Sequence, residues 1–325
     1  MRRSRKNDLP SGLFAWWLAL CTVSIINLGL LGRFWIAHRK KHSGTDPRVY
    51  QQKRKLLWLS TFFTLGCAFR AFFPRVDVQR IVLVDHWLSS VLVGRTVATV
   101  AELSFAAQWA LLLEAFARPM RLNGITIFAR TILPAITVAE VFSWRGVLTT
   151  NNFWHFLEES IWGLCEIGLT ISALAMQRQH QGPPKKFMNW MALCGAIYVT
   201  YMFTFEIPTY YSRWRLDQRN GKTDTGFWEG LTDLAFDWTV THNLQDWDGE
   251  LSWMAIYFSF AVWVSLALTQ APIDGLDQRF AVPENTSAGN QASLSTEFVE
   301  PVADKQGPEC CENRSEDNGY HAQWT

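Results

Sequence analysis

The sequence predicts an all-α, polytopic transmembrane helix bundle of about seven spans, with an interfacial amphipathic helix and a disordered C-terminal tail. Three observations lead there. Apolar residues, 49% of the chain, gather into blocks of roughly twenty, the length a helix needs to cross a hydrocarbon core. Charges are displaced into the gaps between blocks and into the tail, so a mean hydropathy near zero averages two unlike populations. Trp recurs near block ends, at Trp16, Trp17, Trp35, Trp58, Trp144, Trp154, Trp190, Trp214 and Trp253, the headgroup depth that amphipathic indoles favour.

The elements follow in chain order. A basic segment, 1–12, carries Arg2, Arg3, Arg5 and Lys6 and so imitates the start of a secretory signal. The apolar run behind it reaches Leu31, longer than a signal core, and lacks a small-residue cleavage pattern, so it reads as a retained first span. The transmembrane domain covers 13–270, with spans at about 13–35, 56–74, 95–117, 124–145, 153–176, 187–208 and 251–270. Residues 80–94 are apolar but too short to span, and read as an extension of span three or a short interfacial or re-entrant piece broken at Gly94. Over 225–244 the period is helical: Phe227, Trp228, Leu231, Leu234, Ala235 and Trp238 share one side, and Glu229, Asp233 and Asp237 the other. This predicts an amphipathic helix lying in the interface or lidding the bundle. The tail, 273–325, is too polar to offset its ordering entropy and is expected to be disordered.

Lys and Arg set the orientation. Segment 36–55 is the most basic, with Arg39, Lys40, Lys41, Arg48, Lys53, Arg54 and Lys55, which places it in the cytoplasm. The N-terminus is then non-cytoplasmic and the tail cytoplasmic, where it could recruit a partner. The basic N-terminus argues the other way. The composition names no particular membrane.

Ionisable side chains inside hydrocarbon are costly, face the bundle interior and pair. Those in this chain are Arg70, Arg95, Glu102, Arg130, Glu140, Glu158, Glu159 and Glu166, with Asp85, His86, His155 and Glu206 at span ends. Alternating span direction puts Arg70, Glu140 and Glu206, late in even spans, at the depth of Arg95, Glu102, His155, Glu158 and Glu159, early in odd ones. Stripes of His155, Glu159, Trp162 and Glu166 on span five and of Arg95, Thr99, Glu102 and Ala106 on span three suggest a shared polar cavity. Structural ion pairing explains such a cluster as readily as ligand contact does. His155 with Glu158 and Glu159 has spacing suited to a metal or a proton relay, but no second histidine-bearing core helix supports it.

Net charge of +1 argues against a nucleic-acid partner, and the 6 Cys show no disulfide or zinc pattern. Phosphate-loop, metalloprotease, serine-hydrolase and kinase motifs are missing, and span seven has no Lys for a retinal Schiff base. No cofactor is implied. The leading expectation is a transporter or channel-like protein for a small cation, protons or a small polar solute. Glu102, Glu140, Glu158 and Glu159 would face the cation. The alternatives are an intramembrane enzyme acting on a lipid head group with His86 or His155 as base, and a seven-span sensor or scaffold working through its tail.

Overall fold

The computed structural model describes residues 11–40, 46–274 and 276. The chain forms a bundle of long helices. Helices α1 (Ser11–Lys40), α2 (Pro47–Phe72), α3 (Val91–Ala117), α4 (Asn123–Thr149) and α5 (Asn152–Gln177) each pack on the next in sequence. Next, α6 (Pro183–Tyr201) continues through a π-helical turn, Met202–Glu206, into α7 (Ile207–Arg219). A short α8 (Phe227–Phe236) follows, and then α9 (Asp248–Ile256), which passes through a second π-helical turn, Tyr257–Ala261, into α10 (Val262–Leu268).

Six of the continuous helices are long and apolar enough to cross a membrane by length and composition: Gly12–Lys40, Val91–Ala117, Asn123–Thr149, Asn152–Gln177, Pro183–Arg219 and Asp248–Leu268. The seventh, α2, has the length, but Lys53, Arg54, Lys55 and Arg70 make it less apolar. The packing is that of a protein in lipid. Leu164 is 62% exposed and Ile127 63%, while Glu158 is 4% exposed and Glu140 3%. In water such an arrangement would waste the hydrophobic effect; in a bilayer it puts apolar surface against acyl chains and polar groups against one another. The chain is a multi-pass helical membrane protein.

Local chemistry fixes the helix ends. Asp46 caps α2 by accepting from the Arg48 N–H, with Pro47 pre-set at the first position. Ser90 caps α3 through the Val93 N–H, and Asn151 caps α5 through the Phe153 N–H. Pro183 and Pro184 open α6 behind Gly182, whose φ of 65° only glycine adopts without strain. Pro208 also accounts for the first π-helical turn. Its ring would strike the Thr204 carbonyl in a regular helix, and the wider turn makes room.

At the end of the bundle where α1 begins, the connections form a cap. Strands β1 (Arg75–Val76), β2 (Ile81–Val82) and β3 (Thr239–Val240) make a three-stranded sheet in the order β1-β2-β3. The β1–β2 pair is antiparallel and β2–β3 parallel, so the α2–α3 connection is joined to the α8–α9 connection. Arg80, at φ 51°, is held by Asp233 on α8 at 2.6 Å.

Three expectations need correction here. Residues 80–94 are mostly not helical: Ile81–Val82 is a strand and Trp87–Ser89 a single 3₁₀ turn, and only the part from Val91 extends the span, with Gly94 inside α3 rather than breaking it. The helix expected over 225–244 ends at Phe236, because its next residues are drawn into β3. Its docking face also differs. Gly230, Leu234 and Ala235 are buried, whereas Trp228 is 77% exposed and Phe227 56%. Gly230 decides this, since a Cβ there would collide with the Leu148 carbonyl of α4. Third, the ordered chain runs past 273: Ile273 and Leu276 are buried, and Lys53 pairs with Asp274 at 2.5 Å. The expectations for residues 1–10 and for 277 onward lie outside the described residues.

Candidate functional site: a charged cluster beside an aromatic cavity

The centre of the site is Arg95, one turn into α3 and 6% exposed. Its Nη2 donates to Glu102 on α3, Glu140 on α4 and Glu158 on α5, at 3.1 Å each. One nitrogen thus ties three helices together. Thr99 donates to Glu140 at 2.6 Å and itself accepts from the Trp144 indole at 3.0 Å. His155 Nδ1 meets Glu158 at 2.8 Å. Arg70 reaches Glu102 at 3.7 Å with its guanidinium 5.4 Å from the Trp253 ring centre. Small residues permit this geometry: a methyl at Gly66 would come within 2.6 Å of the Ala101 Cβ, so α2 and α3 approach closely one turn before Arg70 and beside Glu102.

Glu102, Glu140 and Glu158 converge closely enough to hold a metal ion. The place where such an ion would sit is filled by the Arg95 nitrogen, a cation supplied by the chain itself. These three carboxylates are committed to that arginine. Losing one partner of such a buried network leaves charge uncompensated, which makes the cluster a structural keystone.

A cavity of about 310 Å³ lies beside the cluster, within the bundle and under the cap. Seven carboxylates line it, Asp77, Glu102, Glu158, Glu159, Glu166, Glu206 and Glu250, against four guanidinium groups, Arg70, Arg75, Arg95 and Arg213. Aromatic side chains make up much of the remaining wall, among them Trp162, Tyr198, Tyr201, Tyr210, Trp253 and Tyr257. Tyr201 donates to Glu206 at 2.6 Å, and Arg213 holds Glu250 at 3.3 Å. Glu159 and Glu166 make no hydrogen bond or ion pair with any described residue. Ile197 on α6 and Ile256 on α9, both lining residues, are 55% and 57% exposed, so the wall between these helices is thin toward lipid.

Under the cap, Arg75 donates to Asp77 at 3.1 Å, and Asp77 lies 3.9 Å from Arg95. Burial by itself would raise the Asp77 carboxyl, but Arg75, Arg70 and Arg95 together outweigh it and hold the carboxyl below its usual range. Burial, with Arg70 and Arg95 adding to it and Asp77 opposing it, pushes the Arg75 guanidinium down to about 10.

Of the residues singled out from sequence, Arg70, Arg95, Glu102, His155, Glu158, Glu159, Glu166 and Glu206 line the cavity, and Glu140 joins through Arg95. Asp85 and His86 lie apart from it, exposed on the cap. Asp85 accepts from the Trp238 indole at 3.2 Å, and His86 Nδ1 accepts from the Leu88 N–H at 3.0 Å. Arg75, Asp77, Arg213, Glu250 and the tyrosines were not read as site residues. The signal for Arg75 and Asp77 was their position directly after an apolar block. Arg213 and Glu250 gave none, since they stand in what read as a polar connection. Comparison with protein-family models, curated proteins and solved structures returned no match, so what the chain does has to be argued from this cavity.

Proposed function

We propose that the protein binds a small organic cation in this cavity, as the binding step of a transporter or channel-like protein. One observation carries the reading: Glu159, on the cavity wall next in sequence to the fully engaged Glu158, has no polar partner among the described residues. A carboxyl group left so within a bilayer is costly to ionise, and a bound cation would offset that cost. The surplus of carboxylates over guanidinium groups has the same sign. Aromatic rings facing the space favour an alkylammonium over a hydrated metal ion, because their electron-rich faces attract a weakly hydrated cation. At about 310 Å³ the cavity is at the small end of organic-ligand sites.

The cation-facing groups on this reading are Glu159, Glu166 and Glu206. The sequence-based expectation had also placed Glu102, Glu140 and Glu158 there, but those serve Arg95. The enzymatic alternative finds less support, for His155 gives Nδ1 to Glu158 and its Nε2 is buried against Gly146. The test is thermal unfolding of purified protein in a maltoside detergent with hexyltrimethylammonium, sodium or hexanoate. Concentration-dependent stabilisation by the ammonium ion, lost in Glu159→Gln, is expected. Absence of any response to the ammonium ion would overturn the reading.

A further inference from the structure

Arg75 is the most deeply buried guanidinium in the cavity wall, its side chain 1% exposed. It spends only Nε, on Asp77. Nη1 and Nη2 are buried and neither has a hydrogen-bond partner. Five N–H donors make arginine the side chain best suited to grip a carboxylate or phosphate through two parallel bonds, and here four of the five go unused. The placement is built rather than incidental. The guanidinium lies where a Cβ at residue 94 would be, so the chain needs Gly94 to seat it against the first turn of α3. The β1–β2 hairpin that carries it is stitched to β3, which fixes the Arg75 backbone at this position. Arg70 and Arg95 line the same cavity, but their guanidinium groups are engaged with Glu102, Glu140 and Glu158, which leaves Arg75 as the one of the three with both terminal nitrogens buried and unpartnered.

The cavity wall therefore holds two unlike sets of groups. On β1 are the unspent donors of Arg75; along α5 and the α6–α7 helix are the carboxyl groups of Glu159, Glu166 and Glu206. We propose that the ligand is a zwitterion, its anionic group gripped by Arg75 and its cationic group held among Glu159, Glu166 and Glu206. The inference rests on the cation-binding reading and narrows it to molecules carrying both charges on a small, partly apolar body.

The probes are three molecules sharing one alkyl chain: hexyltrimethylammonium, the betaine N-hexyl-N,N-dimethylglycine and hexanoate, titrated against the full-length protein in maltoside detergent. Wild type is expected to bind the betaine about tenfold or more tighter than the plain cation, as a charge-assisted anchor would give. Arg75→Gln should abolish that preference and leave the affinity for the cation unchanged or raised. Gly94→Ala, which displaces the guanidinium without removing it, should reduce the preference too. Glu159→Gln should weaken both ligands. If wild type binds the cation and the betaine equally, the anionic end is wrong and the cation reading stands. If hexanoate alone binds, or none of the three does, both readings fall. The wild-type ranking needs no variant, so a misfolded Arg75→Gln protein would not rescue the proposal.

Discussion

Glu158 and Glu159 are neighbours on α5, yet Glu158 is held by Arg95 at 3.1 Å and by His155 at 2.8 Å while Glu159 meets no polar partner among the described residues. The same substitution at the two positions should therefore give opposite results. Glu158→Gln takes a counter-charge from Arg95 and is expected to cost stability on the scale of about 3–5 kcal/mol seen when buried pairs are broken. Glu159→Gln removes a carboxyl group that no counter-charge depends on and should leave the melting temperature unchanged or higher. Unfolding of both variants in detergent, without ligand, checks this; an equal loss at both positions would contradict the assignment.

A second expectation concerns the seat of α8. Gly230 packs directly on the Leu148 carbonyl, so Gly230→Ala must push the helix outward, at about 1–3 kcal/mol if the site resists. Limited proteolysis should then open the segment 220–247. Leu231→Glu, on the 36% exposed Leu231, should be milder, whereas a docking face centred on Leu231 would reverse that order.

Acid should act through Asp77. Its carboxyl is held below the usual range in the folded protein, chiefly by Arg75 against the opposing effect of burial. The stability it contributes is fully present above the unfolded value of about 3.9 and is lost as pH falls through the lower folded value. Wild type should lose melting temperature as pH drops below about 4, and Asp77→Asn should start lower and fall less steeply over that window. A parallel decline of the two proteins would show that Asp77 is not the titrating group.

Sidedness follows from the helix order. The connections at 150–151 and 220–226 belong to the cap end, where Asn151 bonds Asp224 at 2.9 Å, and the connection at 178–182 belongs to the other. Single cysteines in place of Lys222 and Gln179 in a cysteine-free background should react with an impermeant maleimide from opposite faces. By the distribution of Lys and Arg, position 222 is expected to label from the non-cytoplasmic side.

Much of the bundle was legible because a bilayer writes its thickness into the sequence. The block expected at 95–117 ends where α3 ends, and 153–176 coincides with α5 to within a residue or so. The depth argument, which needs only alternating direction, placed Arg70, Arg95, Glu102, Glu140, His155, Glu158, Glu159 and Glu206 at one level. Which carboxylate meets which arginine was not legible. Glu158 and Glu159 differ by one position, and only packing against α3 and α4 decides which of them Arg95 receives. The cap was hidden for another reason. Strands of two residues carry no period, and their pairing joins segments more than 150 residues apart, so Arg75 and Asp77 read as an ordinary loop. For α8 a single glycine outweighed its apolar stripe, because contact with a backbone carbonyl is possible only where no side chain intervenes.

The two π-helical turns also work as gearing. Each widened turn accommodates one residue more than a regular helix would, and a helix rotates by about 100° per residue, so everything beyond the turn is re-aimed by roughly that angle. Tyr201 accordingly finds Glu206 five positions on, a spacing that points away from it on a regular helix. Deleting one residue between Met202 and Glu206 would restore an even thread and swing Tyr210 and Arg213 out of the cavity wall, although neither would itself have been altered. The contents of the cavity are in this sense set by chain length as much as by side-chain chemistry, and one codon removed from a lipid-facing turn could empty part of the site without touching any of its residues.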